Sequence, residues 1–321
     1  MSREVISHET GAIYEFTPAL DPIATVESGA ELTIETRDSL DGVVQTDDDL
    51  IESVPEEVNA ATGPIEVAGA EPGDVLAVEI EDVRLAEDRG RVVTIDGFGL
   101  LDGHEDIEAP RTTVTPVVED TSPDADGTAA DADANTAAMI EFGNHEIAVD
   151  PCIGTIGVAP AEDSYTTLVP HDHGGNLDTT DVSAGNTIYF PVFQAGAMLA
   201  MGDSKAAMAD GEMCGTGAEI ATDIDVTVDV IDGDDVAIEL DRPLIETPDA
   251  WKTVASAESM EDACELANLD VIDLLAAEHD FDPTEAYMFS SLVGGLEISQ
   301  VVDPLVTVRN TVPKTHCSGP F

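Results

Sequence analysis

The stretch DVLAVEIEDVRL, residues 74–85, indicates a β-rich fold. Apolar and polar side chains alternate along it with the period of two that a half-buried strand requires. The same alternation occurs in ELTIET (31–36), AMIEFGNHEIAV (138–149), DIDVTVDVI (223–231) and DVAIEL (235–240). Short turn sequences such as EPGD (71–74) separate many of these stretches, which favours hairpins in a β-sandwich or barrel over βαβ units.

After Trp251 the sequence pattern changes to that of helices. The segment SMEDACELANLDVIDLLAAEH (259–279) repeats apolar residues at helical spacing, and Ser259 can cap its start. A second helix, DPTEAYMFSSLVG (282–294), begins at a proline, and LVTVRNTV (305–312) predicts a terminal strand. We therefore predict a mainly β fold with a β-rich region over 1–250, an acidic loop insertion near 119–137, and an α+β region over 251–321.

Acidic residues dominate the charge of the chain. The 321 residues include 68 Asp+Glu against 11 Lys+Arg, which gives a formal net charge of -57. Such a surface repels nucleic acid and anionic membranes, so we expect neither as a partner. At molar salt the Debye length falls to about 3 Å, which relieves the self-repulsion. The composition therefore predicts a protein from a salt-adapted, haloarchaeal-like organism.

The N-terminal sequence and the cysteines indicate a cytoplasmic location. MSREVISHETGAIYEF (1–16) lacks a basic region followed by an apolar core, and no apolar run reaches the length of a membrane span. The four cysteines lie far apart without a C-x-x-C pair. We therefore expect reduced thiols in a soluble, cytoplasmic protein.

The segment PHDHGGNLDTTDVSAGNTIYFPVF (170–193) contains the first group of candidate site residues. Imidazoles at His171 and His173 project to the same side of an extended chain, and neutral imidazole is a common metal ligand. The following glycines, including Gly175, allow the backbone to turn or to approach a bound group closely. A histidine pair that only makes local hydrogen bonds explains the same pattern, and the sequence leaves both interpretations open.

The segment MGDSKAAMADGEMCGTGAEI (201–220) contains the second group, with Asp203, Lys205, Glu212 and Cys214 among small residues. On an extended backbone Glu212 and Cys214 share a face. A carboxylate is a usable general base when burial raises its pKa toward the operating pH. If 188–193 and 197–201 form a hairpin, the chain returns Asp203 toward the first segment. In a chain this acidic, loop carboxylates also occur without any function.

Six stretches resemble one protein family. They are TGPIEVAGAEPGDVLAVEI (62–80), GTIGVAP (154–160), GGNLD (174–178), YFPVFQAGAMLAMGD (189–203), DGEMCGTGAEI (210–220) and QVVDPLVTVRNTVPK (300–314). In these stretches, and collinearly over nearly its whole length, the chain resembles the acetamidase/formamidase family. The resemblance implies a β-rich fold with an α+β C-terminal part, hydrolysis of small linear amides such as formamide and acetamide to a carboxylate and ammonia, and a homodimer or higher homo-oligomer.

The resemblance also implies roles for individual residues. Glu212 corresponds to the catalytic carboxylate, and Asn176, Asp178 and Gly175 fall in the substrate-binding stretch. A divalent metal, zinc or calcium, is implied near the same stretches, and we predict His171, His173 and Asp203 as its ligands. In that mechanism the metal polarises a water and the amide carbonyl, Asn176 orients the carbonyl, and Glu212 moves the proton.

Three residues depart from the family pattern. Lys205 stands where the family usually has a histidine, Ala209 where it has a glycine, and Gly295 where it has an aspartate. A protonated lysine cannot ligate a metal. Two other readings therefore stay open: a covalent route with Cys214 as nucleophile, Glu212 as base and Lys205 stabilising the oxyanion, and a non-catalytic or substrate-shifted paralogue that binds a small polar ligand.

Overall fold

The computed structural model describes residues 3–119 and 138–321. The strands before the gap are β1 (Glu4–Ser7), β2 (Ala12–Ile13), β3 (Glu15–Phe16), β4 (Ala24–Glu27), β5 (Ala30–Glu35), β6 (Ala61–Ala68), β7 (Val75–Leu85), β8 (Arg89–Thr94) and β9 (Arg111–Glu119). Beyond Glu119, the acidic loop predicted near 119–137 lies outside the described residues.

The elements after the gap are strands followed by two helices and two more strands. They are β10 (Ala138–Phe142), β11 (His145–Ala148), β12 (Cys152–Gly157), β13 (Tyr165–Thr166), β14 (Gly174–Asn176), β15 (Thr187–Pro191), β16 (Leu199–Lys205), β17 (Thr222–Ile231), β18 (Leu244–Glu246), β19 (Ala250–Ala257), α1 (Met260–His279), α2 (Pro283–Val293), β20 (Gly295–Gln300) and β21 (Val306–Pro313), with a short 3-10 helix at Gly233–Asp235.

Two large open sheets pack face to face. One is nine-stranded in the order β1-β5-β17-β7-β15-β18-β19-β21-β20, and the other is six-stranded in the order β14-β12-β16-β6-β2, with β4 beside β6. Neighbours in the first sheet are antiparallel except β1 and β5. Among the described residues a four-stranded sheet, β11-β10-β9-β8, and the pair β13-β3 complete the β structure.

The apolar faces of the two large sheets form the main core. Leu32 and Val78 on the first sheet belong to the same buried cluster as Ile65, Ile153 and Leu199 on the second. Burial of apolar side chains between sheets is the main stabilising contribution in such a sandwich. The predicted mainly β fold is confirmed as a sandwich, and the described sheets do not close into a barrel.

The two helices cover the other face of the nine-stranded sheet near its β19–β21 end. Ala267, Val271 and Leu275 of α1 are buried there, as the helical spacing predicts. The Ser259 side chain accepts a hydrogen bond from the Asp262 amide, which confirms the predicted cap. The division into 1–250 and 251–321 stays a prediction, since the nine-stranded sheet takes strands from both parts.

Two local predictions are wrong. DVAIEL (235–240) forms no strand. Its apolar side chains pack against the buried cluster that includes Trp251 and Leu275 of α1. The Ala237 amide donates to Pro320 O at 2.8 Å and not to a neighbouring strand. The proposed hairpin of 188–193 and 197–201 does not form either. The strands β15 and β16 belong to different sheets, and the chain between them crosses the sandwich.

Candidate active site

A small cavity with a mixed lining of charged and apolar side chains lies beside β12, β14 and β16. Its volume is about 30 Å³, and a single water needs only roughly 10–15 Å³. The titratable side chains in its lining are Asp178, Asp203, Lys205, Glu212, Glu219 and Asp303. Apolar side chains complete the lining: Leu40, Val54, Val58, Ile95, Phe98 and Leu168.

Strand β12 brings the two sequence segments together. Thr155 in its middle pairs with Asn176 on β14 and with Gly202 on β16. Asp203 therefore reaches the neighbourhood of Asn176 as predicted, but through a shared central strand instead of the hairpin. The Thr155 hydroxyl lies 2.6 Å from Asn176 Oδ1 and 3.2 Å from Asp203 Oδ2.

The Lys205 ammonium lies at the centre of the carboxylates. Its Nζ is 2.5 Å from Asp178 Oδ1 and 2.7 Å from Asp203 Oδ2. Glu212 Oε1 and Glu219 Oε2 follow at 3.7 and 3.8 Å. Burial by itself lowers the pKa of Lys205, but the surrounding carboxylates raise it above its usual value. The surrounding carboxylates therefore favour the charged ammonium form of this buried lysine.

Gly154 on β12 makes the space for this arrangement. An ideal Cβ on Gly154 would lie closer than 3.0 Å to Lys205 Nζ, Asp178 Oδ1 and Asp203 Oδ2 at once. No side chain larger than hydrogen fits there without moving the charged groups apart. The glycine in GTIGVAP thus has a packing reason that depends on the site.

Glu212 lies on a loop that the C-terminal strands hold in place. The Gly211 amide donates to Ser299 O at 2.7 Å, and the Arg309 guanidinium donates to Asp210 Oδ1 at 2.7 Å. Burial raises the pKa of Glu212 well above its usual value, the Asp178 charge raises it further, and Lys205 opposes both. A carboxylate whose pKa is raised by burial accepts a proton more readily than a carboxylate in water, as a general base must.

Asn176 connects the cavity to a residue that sequence reasoning missed. Its Oδ1 accepts from Asn59 Nδ2 at 3.0 Å, and its Nδ2 donates to Asp303 Oδ2 at 2.8 Å. The Gln300 side chain in turn accepts from the Asp303 amide at 3.0 Å. Burial raises the pKa of Asp303 well above its usual value. The side-chain amide of Asn176 is therefore hydrogen-bonded on both sides, to Asn59 and to Asp303, and helps to hold these two residues in place.

Glu219 is the second carboxylate that sequence reasoning missed. It is buried, its Oε1 accepts from the Gly217 amide at 2.8 Å, and its Oε2 has no hydrogen-bond partner among the described residues. Both missed residues occur inside the family-like stretches, Glu219 in DGEMCGTGAEI and Asp303 in QVVDPLVTVRNTVPK. Their position in those stretches could have indicated that they are site residues, but the many other acidic residues of the chain made them hard to single out.

Four non-glycine residues of the cavity lining have left-handed backbone conformations. The φ angles are 56° at Asn59, 41° at Asp178, 54° at Asp203 and 42° at Glu212. Such conformations cost about 1–3 kcal/mol each and persist where the surrounding structure enforces them. Their concentration around one cavity supports a functional role for it.

The histidine pair lies apart from this cluster. The Tyr165 ring stacks on His171 at 4.5 Å and on His173 at 5.1 Å between centroids. Burial, with a smaller contribution from His171, lowers the pKa of His173 to about 3, so its imidazole is neutral. Neither ring nitrogen of His173 has a hydrogen-bond partner within the described part of the chain.

The predicted metal-ligand set is not assembled. No three His, Cys, Asp or Glu side chains of residues 3–119 and 138–321 are placed to hold a metal ion. His171 and His173 stack on Tyr165 instead of joining Asp203, and the Asp203 carboxylate is paired with Lys205. The residues around Lys205 therefore do not fit a divalent metal, because an ammonium already occupies the position that their oxygens surround.

The other predicted residues lie at the edge of the cavity or outside it. Cys214 Sγ donates to Thr216 O at 3.4 Å. Together with Ala209 it lines an adjoining apolar groove, which shares Glu212 and Thr216 with the cavity. Gly175 pairs with Ile156 on β12, and Gly295 is exposed at the start of β20. None of these four is among the described residues that line the cavity.

Comparison with known proteins agrees with the resemblance found in the sequence. Residues 1–165 and 161–315 match the Acetamidase/Formamidase family. The chain belongs to this family. It is 30% identical over 269 residues to the acetamidase of Mycolicibacterium smegmatis, covering 67% of this chain and 65% of that one. It is 28% identical over 254 residues to the formamidase of Methylophilus methylotrophus, covering 67% and 62%. The chain thus spans slightly less than two thirds of these curated relatives.

Solved structures match over nearly the whole chain. The acetamidase from Bacillus halodurans has a TM-score of 0.85 at 32% identity and covers 97% of each chain. The acetamidase from Yersinia enterocolitica has a TM-score of 0.85 at 29% identity, covering 98% of this chain and 92% of that one. A gamma lactamase from Delftia acidovorans shares the fold at a TM-score of 0.60 and 21% identity, covering 97% and 90%.

Proposed function

We propose that the chain hydrolyses a small linear amide of the formamide or acetamide type to a carboxylate and ammonia at the Lys205 cavity. The observation that carries the proposal is the buried Lys205 ammonium 3.7 Å from the Glu212 carboxyl. Amide hydrolysis needs a positive charge that stabilises the developing oxyanion and a nearby group that transfers a proton. The names of the curated relatives, acetamidase and formamidase, support the same substrate class.

Lys205 supplies the electrophilic assistance in this proposal. Its ammonium donates a hydrogen bond to the amide carbonyl oxygen, where negative charge develops as water adds to the carbon. The site is shielded from water, so the interaction is stronger there than in solution. The charge is present before substrate binds, because the carboxylates at 2.5 and 2.7 Å already hold the amine in place.

Glu212 moves the proton. Its carboxylate accepts a proton from the attacking water as the new C–O bond forms, and returns it to the amide nitrogen as the C–N bond breaks. Burial raises the pKa of Glu212, which makes its carboxylate a better proton acceptor in the first half of this transfer. The net reaction consumes one water and releases one carboxylic acid and one ammonia.

Two buried carboxylate oxygens without a hydrogen-bond partner in the described part of the chain can hold the amide group, and one of them, Glu219 Oε2, also lies 3.8 Å from Lys205 Nζ. Asp178 Oδ2 and Glu219 Oε2 are buried, lack hydrogen-bond partners among the described residues, and belong to side chains that line the cavity. A primary amide offers two N–H donors that would satisfy them. The apolar lining near Leu40 and Phe98 is suited to a hydrogen or a methyl group on the acyl side, and the volume of about 30 Å³ favours the smallest substrates.

This mechanism includes no step through a metal. The zinc or calcium ion expected from the resemblance stays a prediction, and the donors around Lys205 do not support it. The covalent route through Cys214 also stays a prediction. The thiol is not among the described residues that line the Lys205 cavity, and it donates to the Thr216 carbonyl, although it shares an apolar groove with Glu212.

The test is ammonia release from formamide and acetamide in molar KCl. We expect turnover by the wild type and a loss of at least about 100-fold in Glu212→Gln, which cannot carry the proton. Glu258→Gln is the matched control, since Glu258 is exposed and is not among the residues that line the cavity. Equal turnover in both variants would remove Glu212 from the mechanism.

We also propose that the chain forms homo-oligomers through its helical face. Tyr287, Met288 and Leu292 on α2 and Leu296 on β20 are exposed apolar side chains. Adjacent exposed apolar residues are typical of interaction surfaces, and on a chain of charge -57 a second copy can approach such a patch with less repulsion. Light scattering in molar KCl should report a dimer or larger assembly that Leu292→Asp dissociates.

No helix within the described residues is long and apolar enough to cross a membrane, and a cytoplasmic location stays a prediction.

A further inference from the structure

An apolar groove adjoins the Lys205 cavity. Its volume is about 420 Å³, within the range of roughly 300–1,000 Å³ that small-molecule sites have. Strands β8–β11 form one part of its lining, with Ile140, Phe142 and Ile147 among their residues, and the segment 207–218 forms the rest. Among the lining residues that the structure describes, Glu212 alone has a charged side chain. On a chain with 68 acidic residues, such a groove suits an apolar ligand.

The groove and the cavity meet at Glu212. Both spaces are lined by Glu212 and Thr216, and Glu212 Oε1 lies 3.7 Å from Lys205 Nζ. The cavity has a volume of about 30 Å³, and a single water already needs roughly 10–15 Å³. An acyl chain longer than that of acetamide must therefore leave the cavity, and the groove is adjoining space that can take it.

The two ends of a bound amide face different surroundings. The carboxylate oxygens proposed to accept from its nitrogen, Asp178 Oδ2 and Glu219 Oε2, belong to residues that line the cavity and are not among the described residues of the groove. The acyl side adjoins Phe98, and an ideal Cβ on Gly215 would lie 2.5 Å from the Phe98 ring. Gly215 directly precedes Thr216, which lines the groove. The acyl side of the substrate therefore leads toward the groove, and the nitrogen does not.

We propose that the groove binds the alkyl chain of the acyl group, so that the substrate class extends from formamide and acetamide to medium-chain aliphatic amides such as hexanamide. The inference rests on the proposed function, because it adds a subsite for the same reaction. A methylene group that leaves water improves binding about fourfold, which corresponds to about 0.8 kcal/mol. Phe142 and Ile147 are each 42% exposed, so the groove shields a chain only in part. We therefore expect kcat/KM to rise by about tenfold in all from acetamide to hexanamide.

The experiment measures kcat and KM for ammonia release from formamide, acetamide, butyramide and hexanamide in molar KCl. The proteins are the wild type, Ile147→Asp and Val5→Asp. Val5 is the matched control, because it is also an exposed apolar strand residue but is not among the described residues that line the groove. An alkyl chain in the groove would strip water from a carboxylate at position 147, which is unfavourable. The ratio of kcat/KM for hexanamide to that for acetamide should therefore fall to about one in Ile147→Asp, through KM, and stay at about ten in Val5→Asp.

Two results would overturn the inference. One is a wild type that hydrolyses acetamide at least as efficiently as hexanamide. The other is a ratio that Ile147→Asp leaves at the wild-type value; if light scattering then shows that this variant dissociates an assembly, the groove holds a second copy of the chain instead. If circular dichroism shows Ile147→Asp to be unfolded, Phe142→Asp takes its place under the same criteria, since Phe142 also lines the groove and is equally exposed.

Binding separates this inference from the proposed function. If the wild type releases ammonia from none of the amides, isothermal calorimetry with hexanamide decides. Binding that Ile147→Asp weakens and Val5→Asp does not would keep the groove as an alkyl site and remove the proposed activity, whereas no binding would remove both. Ammonia release from formamide and acetamide without the chain-length preference would remove the inference alone.

Discussion

Replacing Gly154 with alanine should separate Lys205 from its carboxylates without removing a charged group. The φ angle of Gly154 lies outside the left-handed region, so the backbone accepts alanine and only the space is at issue. The new Cβ would lie closer than 3.0 Å to Lys205 Nζ, whereas non-bonded carbons prefer about 3.5–4.0 Å. The ammonium must therefore move by an ångström or more.

The cost follows from the two shortest ion pairs. At an effective dielectric constant of about 20, moving Nζ from 2.5 and 2.7 Å to about 4 Å from Asp178 and Asp203 loses about 2 kcal/mol of attraction per pair. We therefore expect Gly154→Ala to lower the free energy of unfolding by about 4 kcal/mol, within the range for breaking a buried pair. Misplacing a reacting group by about 1 Å should also lower kcat by about 100-fold.

Urea unfolding and ammonia release, both in molar KCl, measure these two effects. Gly295→Ala is the matched control, because its φ is also ordinary and no atom lies within 4 Å of the added Cβ. We expect this control to stay within about 0.5 kcal/mol of the wild type. The reasoning is refuted if Gly154→Ala is equally neutral and fully active.

Three further predictions concern residues around the cavity. Arg309→Lys should lower kcat about 10-fold, since one lysine Nζ does not replace the two guanidinium nitrogens, Nη1 and Nη2, that contact Asp181 and Asp210. Steady-state kinetics measure this change, and an unchanged kcat would show that the Glu212 loop does not need the Arg309 contacts. Cys214→Ser should keep at least half of the wild-type ammonia release, whereas a loss of over about 100-fold would favour the covalent route. His173 should make stability pH-dependent, because the unfolded histidine binds a proton below pH 6.5 while the folded one stays neutral down to about pH 3. Stability is therefore lost as pH falls through this window, and between pH 7 and 5.5 urea unfolding of the wild type should lose about 1 kcal/mol more than His173→Phe; equal losses would contradict the assignment.

Much of the fold could be predicted from local sequence patterns. The alternation in DVLAVEIEDVRL and DIDVTVDVI gave β7 and β17, which pair in the structure, because one face of each strand is buried. Ser259 and Pro283 marked the starts of the helices through capping chemistry. The strand predicted for DVAIEL was wrong, because the same alternation occurs in a segment that pairs with no strand but packs its apolar side chains against a cluster that includes helix residues.

The candidate site was harder to predict, since its geometry depends on contacts between distant segments. Asp203, Lys205 and Glu212 could be found within one stretch, but their convergence on Asp178 depends on β12. Glu219 and Asp303 lie in stretches that resemble the family, but in a chain with 68 acidic residues nothing distinguished them from the other acids. The imidazole pair suggested metal ligands because the sequence does not reveal that Tyr165 stacks on both rings.

The most direct test of the central claim is a time course of carbon-13 labelled formamide incubated with the wild-type protein in molar KCl, followed by NMR together with an ammonia assay. The account predicts that formate and ammonia appear in equal amounts as formamide disappears. A folded protein that produces neither from formamide nor from labelled acetamide would contradict it.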